Sequence, residues 1–417
     1  MPFVVQNIPN ITTMDSILKK YLKGDAVLWA VFIGLCFISV IEMFSASSTL
    51  AFKAANHTAP ILRHVLFLIG GAVIAFLVHL IPARYIRFGA FILLGISIVT
   101  LTLVLFMGIV TNDASRWLEI YGIQFQPSEL GKLSLIIVAA DFIARIKNSK
   151  ANEDKYFKVM MILSIIVCAL ILVENFSTAA LLFGVIWIMM FIAKIAWQKL
   201  SLVVAALSVF FLLSFAAVKI VPQHMMPKMF NRAYTWVNRL SRHHNEKEAV
   251  DKFVINDANR QVQHGRIAIA RGGVFGVFPG NSVQRDFLPQ AYSDFIYAII
   301  VEEMGLAGGI LVMLLYMVLL FRAGRIATMS KTVFPAILVI GLSLLLVLQA
   351  FINMAVSSSL IPVTGQPLPM ISRGGTSILI TSIYFGIMLG ITRQIKNETE
   401  DNQDFIEEIV IEEDEDE

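Results

Sequence analysis

Ten stretches of this chain are apolar for long enough to cross about 30 Å of hydrocarbon, and that property limits the fold more than any other. They fall at residues 27–47, 61–81, 88–110, 130–145, 157–173, 177–195, 200–221, 294–321, 332–356 and 374–392. With 57% hydrophobic and 15% charged residues over 417 positions, the chain lies outside the range of soluble domains. The sequence therefore predicts an all-α polytopic membrane protein of about ten transmembrane helices, since a helix satisfies its own backbone polar groups in lipid. Residues 1–26 are read as a cytoplasmic N-terminal segment and 27–392 as the membrane domain. Residues 393–417 are read as an acidic, disordered cytoplasmic tail. The first span is too long for a signal-peptide core and is expected to be retained. Cys36 and Cys168 both lie in apolar runs and read as small core hydrophobes.

Basic residues set the expected orientation. Lys19, Lys20 and Lys23 precede the first span, and Arg84, Arg87, Arg145, Lys147, Lys150, Lys155, Lys194, Lys199, Arg322, Arg325 and Lys331 fill alternate short connections. By the positive-inside rule both termini are cytoplasmic. The longest connection, 222–293, then lies on the outer face, and it is too long to stay structureless in a compact domain. Within it Met229, Phe230, Ala233, Trp236, Val237 and Leu240 recur at helical spacing and predict an amphipathic helix. That helix suits either the outer leaflet or a seat on the other outer loops.

No phosphate-loop, zinc-protease, C-x-x-C or nucleophile-elbow signature is present, so neither a nucleotide cofactor nor a nucleic-acid partner is expected. Four polar motifs stand at the outer ends of helices instead. The first runs Asn112-Asp113-Ala114-Ser115-Arg116-Trp117, then Phe125-Gln126-Pro127-Ser128-Glu129-Leu130-Gly131-Lys132. Pro127 suits a first helical turn, and Glu129 and Lys132 share one helix face. Capping and a surface pair would explain these residues, but an ion pair at a membrane boundary beside Arg116 favours a functional role. The second spans Gln261–Gln284, with Arg271 followed by glycines 272, 273, 276 and 280. As an isolated motif this is more often a structural turn than a phosphate cradle.

The third motif runs Arg285-Asp286-Phe287-Leu288-Pro289-Gln290-Ala291-Tyr292-Ser293-Asp294-Phe295 into an apolar helix carrying Glu302 and Glu303. A lone Asp294 would read as an N-cap. Two glutamates about 12 Å further along the helix point instead to a polar cavity beneath it. The fourth is Pro362-Val363-Thr364-Gly365-Gln366-Pro367-Leu368-Pro369, followed by Ile371-Ser372-Arg373-Gly374-Gly375-Thr376-Ser377. Its three prolines rule out a continuing helix and predict a rigid or re-entrant loop, with Arg373 placed to meet an anionic group.

Together and in this order, the motifs resemble the SEDS family (shape, elongation, division and sporulation), the family of the FtsW and RodA glycosyltransferases. The resemblance spans about 27–392 and rests on N-x-A-S-R-W, F-Q-P-S-E-x-x-K, G-x-x-x-G-N-S-V-Q, L-P-x-A-x-x-D-F and L-P-x-I-S-x-G-G-[ST]-S jointly. It implies a ten-helix enzyme of the bacterial cytoplasmic membrane that polymerises lipid II into a growing glycan strand. It also implies a class B penicillin-binding protein as partner, together with other division proteins and membrane lipids. The family's essential aspartate falls on Asp294, its nearby loop acid on Asp286, and its helix 4 pair on Glu129 and Lys132. Asp294 is accordingly read as catalytic, either as general base or as ligand of a divalent cation, Mg or Mn. Arg116, Lys132, Arg271 and Arg373 are read as holding pyrophosphate.

The chain departs from the family's common pattern at Arg373, at Glu174-Asn175 and at Gly131. Gly280–Gln284 and Leu288–Ala291 look more like the division branch than the elongation branch. A lipid II flippase is the competing function. It would show paired repeats and midplane sites, whereas here the unusual residues gather at one face.

Overall fold

The structure is a computed structural model that describes residues 24–46, 59–107, 109–111, 114–120, 123–220, 255, 259–288 and 291–415. Ten long helices occupy the ten expected segments. They are α1 (Ala26–Ala46), α2 (Ala59–His79), α3 (Ala83–Met107), α4 (Pro127–Asn148), α5 (Glu153–Glu174), α6 (Phe176–Ile192) and α7 (Trp197–Ile220), followed after two short helices by α10 (Ile296–Met329), α11 (Val333–Ser357) and α12 (Gly375–Glu415). The short helices are α8 (Arg260–Gly272) and α9 (Gln284–Phe287). Both lie in the described part of the long connection, and the amphipathic helix expected at 229–240 lies outside the described residues.

Seven of these helices (α1, α2, α3, α5, α10, α11 and α12) are long and apolar enough by themselves to cross a membrane. The chain is thus a multi-pass membrane protein. Helix α4 fails that test because it carries Glu129, Lys132, Asp141, Arg145 and Lys147, and its position explains why it can. Eighteen of its 22 residues are buried, packed against α3, α5 and α11. Protein rather than lipid is its solvent, so its charges need partners inside the bundle. At one end Glu129 pairs with Lys132, and at the other Asp141 is held between Arg87 and Arg145, the latter at 2.8 Å. Around this centre α2 packs along α12, and α10 packs along α1 and α11. The α2–α12 contact is close enough that a Cβ on Gly386 would come within 2.7 Å of the Ala75 carbonyl oxygen.

The fold is not purely helical. Residues 109–125, the end of the expected third span and the motif after it, form a small antiparallel sheet of β1 (Ile109–Thr111), β2 (Ala114–Ile120) and β3 (Ile123–Phe125). β1 pairs Thr111 with Ala114, and β2 pairs Leu118 with Phe125. Branched and aromatic residues in short runs favour strands here over a continuation of α3. The sheet ends directly at Pro127, the first residue of α4.

Helix α10 is also not continuous. Gly305 sits at φ 69° and ψ −174°, a conformation reserved for glycine, and breaks the helix just after Glu302 and Glu303. The loop 273–278 fills the break. Amides of Val277 and Phe278 donate to the carbonyls of Glu302 and Glu303 at 3.0 and 2.8 Å, and the Leu306 amide donates to the Gly273 carbonyl at 2.9 Å. A Cβ on Gly276 would fall 2.1 Å from the Glu303 carbonyl oxygen. The glycine-rich motif is therefore a packing device around a broken helix.

Gly276→Ala combines a positive φ with a backbone clash, whereas Gly280→Ala meets open space and only the positive φ. We predict a loss on the order of 3 kcal/mol for the first and about 1 kcal/mol for the second, read from unfolding of the purified protein in detergent. Equal losses would contradict the packing account.

Candidate functional site

The fourth motif forms a loop from Ser358 to Gly374 whose Thr364, Gln366, Leu368, Met370, Ile371 and Ser372 are all buried. It folds against the start of α10 and the start of α4. Ser372 ties it locally, accepting from the Leu368 amide and donating to the Ser293 carbonyl, both at 2.7 Å. The Arg373 amide donates to the Tyr292 carbonyl at 2.9 Å, and the Arg373 guanidinium lies over the Tyr292 ring, 5.3 Å from its centre. Gln366 donates to the Thr178 hydroxyl of α6 at 2.6 Å.

Between these elements lies a cavity of about 130 Å³. Its walls come from Trp117 of β2, Gln126 and Glu129 at the head of α4, Asn175 and Thr178 of α6, Ser293 and Asp294, Gly365–Pro367, and Arg373 with Gly374 and Ser377. Asp294 and Arg373 thus line the same cavity. Asp294 is not the N-cap of α10; Phe295 holds that position, without a side-chain bond. The Asp294 Oδ1 accepts instead from the Ser293 hydroxyl at 3.1 Å. Gln126 and Pro127 begin α4 as the Pro-at-N1 reading expects, and the Gln126 side chain donates to Ser128 Oγ at 3.0 Å.

Glu129 and Lys132 form a buried ion pair at 2.7 Å, their side chains 7% and 1% exposed. Lys132 sits one helical turn below the cavity wall and also donates to Gln349 Oε1 at 3.0 Å. Gln349 in turn donates to the Pro367 carbonyl at 3.0 Å. One turn along α11, Asn353 donates to the carbonyls of Asp294 at 3.0 Å and Gln366 at 2.8 Å. A further turn along, Ser357 donates to the Asp294 carbonyl at 3.4 Å. Gln349, Asn353 and Ser357 are all buried. This spine joins α4, the Asp294 segment and the proline-rich loop, and sequence reasoning passed over it. The signal was three polar residues spaced by four in an apolar span, a helical stripe that faces protein rather than lipid.

Of the residues singled out from sequence, Glu129, Asp294 and Arg373 meet at the cavity, with Lys132 directly beneath. Arg271 belongs to a different cluster, where its Nη1 lies 3.1 Å from Glu302 Oε1. Asp286 is outward on α9, its side chain 54% exposed and 3.9 Å from Arg285 Nε. Arg116 has its backbone in β2, next to Trp117, and its side chain lies outside the described residues.

Fold and site define a polytopic membrane protein with a polar cavity at one end of its bundle, walled by a carboxylate, a guanidinium and a neutralised ion pair. The chain belongs to the FtsW/RodA/SpoVE family of cell cycle proteins, whose sequence pattern it matches over residues 25–397. It is 31% identical, over 89% of its own length and 92% of the relative's, to the protein of Halomonas elongata named "Probable peptidoglycan glycosyltransferase FtsW". Its identity to the Enterococcus hirae protein of the same name is 30%, over 90% and 94%. Among solved structures, a chain of a peptidoglycan synthase complex that coordinates polymerization and crosslinking superposes with a TM-score of 0.69 at 21% identity, over 90% of this chain and 99% of that one. The rod shape determining protein RodA of Thermus thermophilus gives 0.62 at 22% identity, over 90% and 98%.

Removing one partner of a buried pair leaves an uncompensated charge. Lys132→Met should cost about 3–5 kcal/mol of stability, and adding Glu129→Gln should restore at least half of it. Additive losses in this double-mutant cycle, followed by unfolding in detergent, would show that the pair is not coupled.

Proposed function

We propose that the chain is a peptidoglycan glycosyltransferase of the FtsW type, polymerising lipid II at the outer face of the bacterial cytoplasmic membrane for septal synthesis. The observation that carries this reading is that Asp294 and Arg373 line one cavity. The names of the relatives supply the substrate class. In the reaction, an acceptor sugar hydroxyl attacks the anomeric carbon of the donor. A new glycosidic C–O bond forms as the C–O bond to the lipid pyrophosphate breaks. Asp294 takes the hydroxyl proton, and Arg373 meets the charge that develops on the departing pyrophosphate. Glu129, neutralised by Lys132, adds a polar wall without adding net charge.

A divalent cation fits the cavity in one mode only. Among the described residues no three Asp, Glu, His or Cys side chains converge, so a cage built from protein alone is not offered. Asp294 and Glu129 share the cavity, and Mg²⁺ is commonly held by one or two carboxylates together with substrate phosphates. When bound in that way, the ion would neutralise pyrophosphate charge.

The orientation follows from charge. Arg84, Arg87, Arg145, Lys147, Lys194, Lys199, Arg322 and Arg325 lie in alternate connections, a distribution that supports a cytoplasmic location for that side and for both termini. Polyprenyl tails require the bilayer while head groups require water, so a cavity at the end of a helical bundle suits a lipid-linked sugar. The partner in this reading is a class B penicillin-binding protein, which would crosslink the strands made here. The similar fold within a synthase complex supports that partnership. Division proteins and membrane lipids complete the setting.

The test is glycan polymerisation from lipid II by the purified complex with its transpeptidase. Asp294→Ala, at equal folding and complex formation, should lower the rate by roughly 10²-fold or more. Equal rates would remove Asp294 from the chemistry. Lipid II translocation in vesicles, with no polymer from the native complex, would assign a flippase instead.

A further inference from the structure

Away from the cavity, α1 carries a carboxylate that nothing above uses. Glu42 lies one turn before the C-terminal end of α1, is 0% exposed, and neither of its oxygens has a hydrogen-bond partner among the described residues. Glu303 of α10, also 0% exposed, is brought to the same face of α1 by its hydrogen bond to Ser45, one turn after Glu42, and its charge acts on Glu42. Glu303 uses one oxygen, accepting from the Ser45 hydroxyl and from the Ser282 amide at 3.2 Å, with Arg285 Nη1 at 3.9 Å. Its Oε2 has no partner among the described residues. Glu302 is fully engaged by Arg271, by the Ser282 hydroxyl and by the amides of Val283 and Gln284.

Among the described residues the charges do not balance: Glu42, Glu302 and Glu303 stand with two guanidiniums, Arg271 and Arg285, which leaves one carboxylate without a counter-charge there. Arg285 is already committed to Ser45, donating to its carbonyl at 3.2 Å and its hydroxyl at 3.0 Å. A further titratable group near this face of α1, among the described residues, is His64 of α2, hydrogen-bonded at 2.8 Å to Ser39, one turn before Glu42. The positive charge of Arg373 acts on His64 from the cavity side. An ionised carboxylate without a counter-charge is strongly disfavoured in a packed interior, and it takes up a proton instead.

We propose that Glu42 and Glu303 form a proton-binding site, a carboxyl–carboxylate pair that holds one proton between α1 and α10. Three uncommitted oxygens suit a proton better than a metal ion, which takes about six ligands. The site is shared by three elements. Glu303 also receives Ser282 and lies near Arg285, so the bound proton sets the charge on the face where the 282–285 segment meets α1 and α10. Folding takes up the proton and unfolding releases it, so the bound proton contributes stability that is lost as pH rises.

Two measurements on the purified full-length protein test this. Infrared spectroscopy at neutral pH should show a protonated-carboxyl stretch that disappears in Glu42→Gln, since glutamine mimics the neutral acid. Thermal midpoints should fall from neutral to alkaline pH in the native chain, with that slope lost and the midpoint kept or raised in Glu42→Gln. The absence of any protonated-carboxyl band in the native chain would overturn the proposal, whether or not the variant folds. So would an unchanged band and slope in Glu42→Gln. A midpoint that depends on sodium rather than choline at fixed pH, with the dependence lost in Glu42→Gln, would replace the proton with a metal cation and overturn it as well.

Discussion

Lys132 is a lysine with 1% of its side chain exposed, in the interior of a membrane protein, and the arrangement around it organises the rest of the molecule. Such a charge persists only with a counter-charge and with its remaining donors satisfied. Glu129 supplies the first and Gln349 the second, and the other end of the Gln349 amide reaches the backbone of the proline-rich loop. One buried ammonium thereby fixes the relation of α4, α11 and that loop. Asn353, a turn further along α11, repeats the device between the loop and Asp294. The cavity is what these elements enclose once they are locked together.

A second constraint is the break in α10. An unbroken helix from Ile296 would leave Glu302 and Glu303 in apolar surroundings. The break at Gly305 opens backbone groups to the 273–278 loop, and the loop carries Ser282 and Arg285 to the two carboxylates. Gly272 and Gly276 of the second motif serve this close backbone approach. Arg271 ends up neutralising Glu302 for the same reason. The sequence makes the charge of Arg271 visible but not its partner, because Glu302 lies 31 residues away and the two meet only through the break.

Much of the architecture was legible because membrane helices must be long and apolar, and all ten expected segments are helical. The span expected at 130–145 is α4, and what its sequence did not show is how its five charges are tolerated, by burial of 18 of its 22 residues among other helices. The sheet at 109–125 was hidden by its proximity to an apolar span, since a short run such as Ile109-Val110-Thr111 reads equally well as helix or strand. Glu129, Asp294 and Arg373 stood out in the sequence because charged residues at membrane boundaries require a reason, and the three line one cavity. Gln349 and Asn353 could not be found the same way. Neutral amides in an apolar helix look like tolerated exceptions until the carbonyls they hold are seen.

In the proposed function Asp294 takes the acceptor proton, and α11 holds its segment through Asn353, which donates to the Asp294 and Gln366 carbonyls. The most direct measurement is the steady-state polymerisation rate of Asn353→Leu, similar in size but without the amide, in complex with the transpeptidase and over a range of lipid II concentrations. The account predicts that kcat falls about tenfold or more, equivalent to about 1.4 kcal/mol of transition-state stabilisation, while KM changes little. A folded, complexed Asn353→Leu protein with native kcat would contradict it.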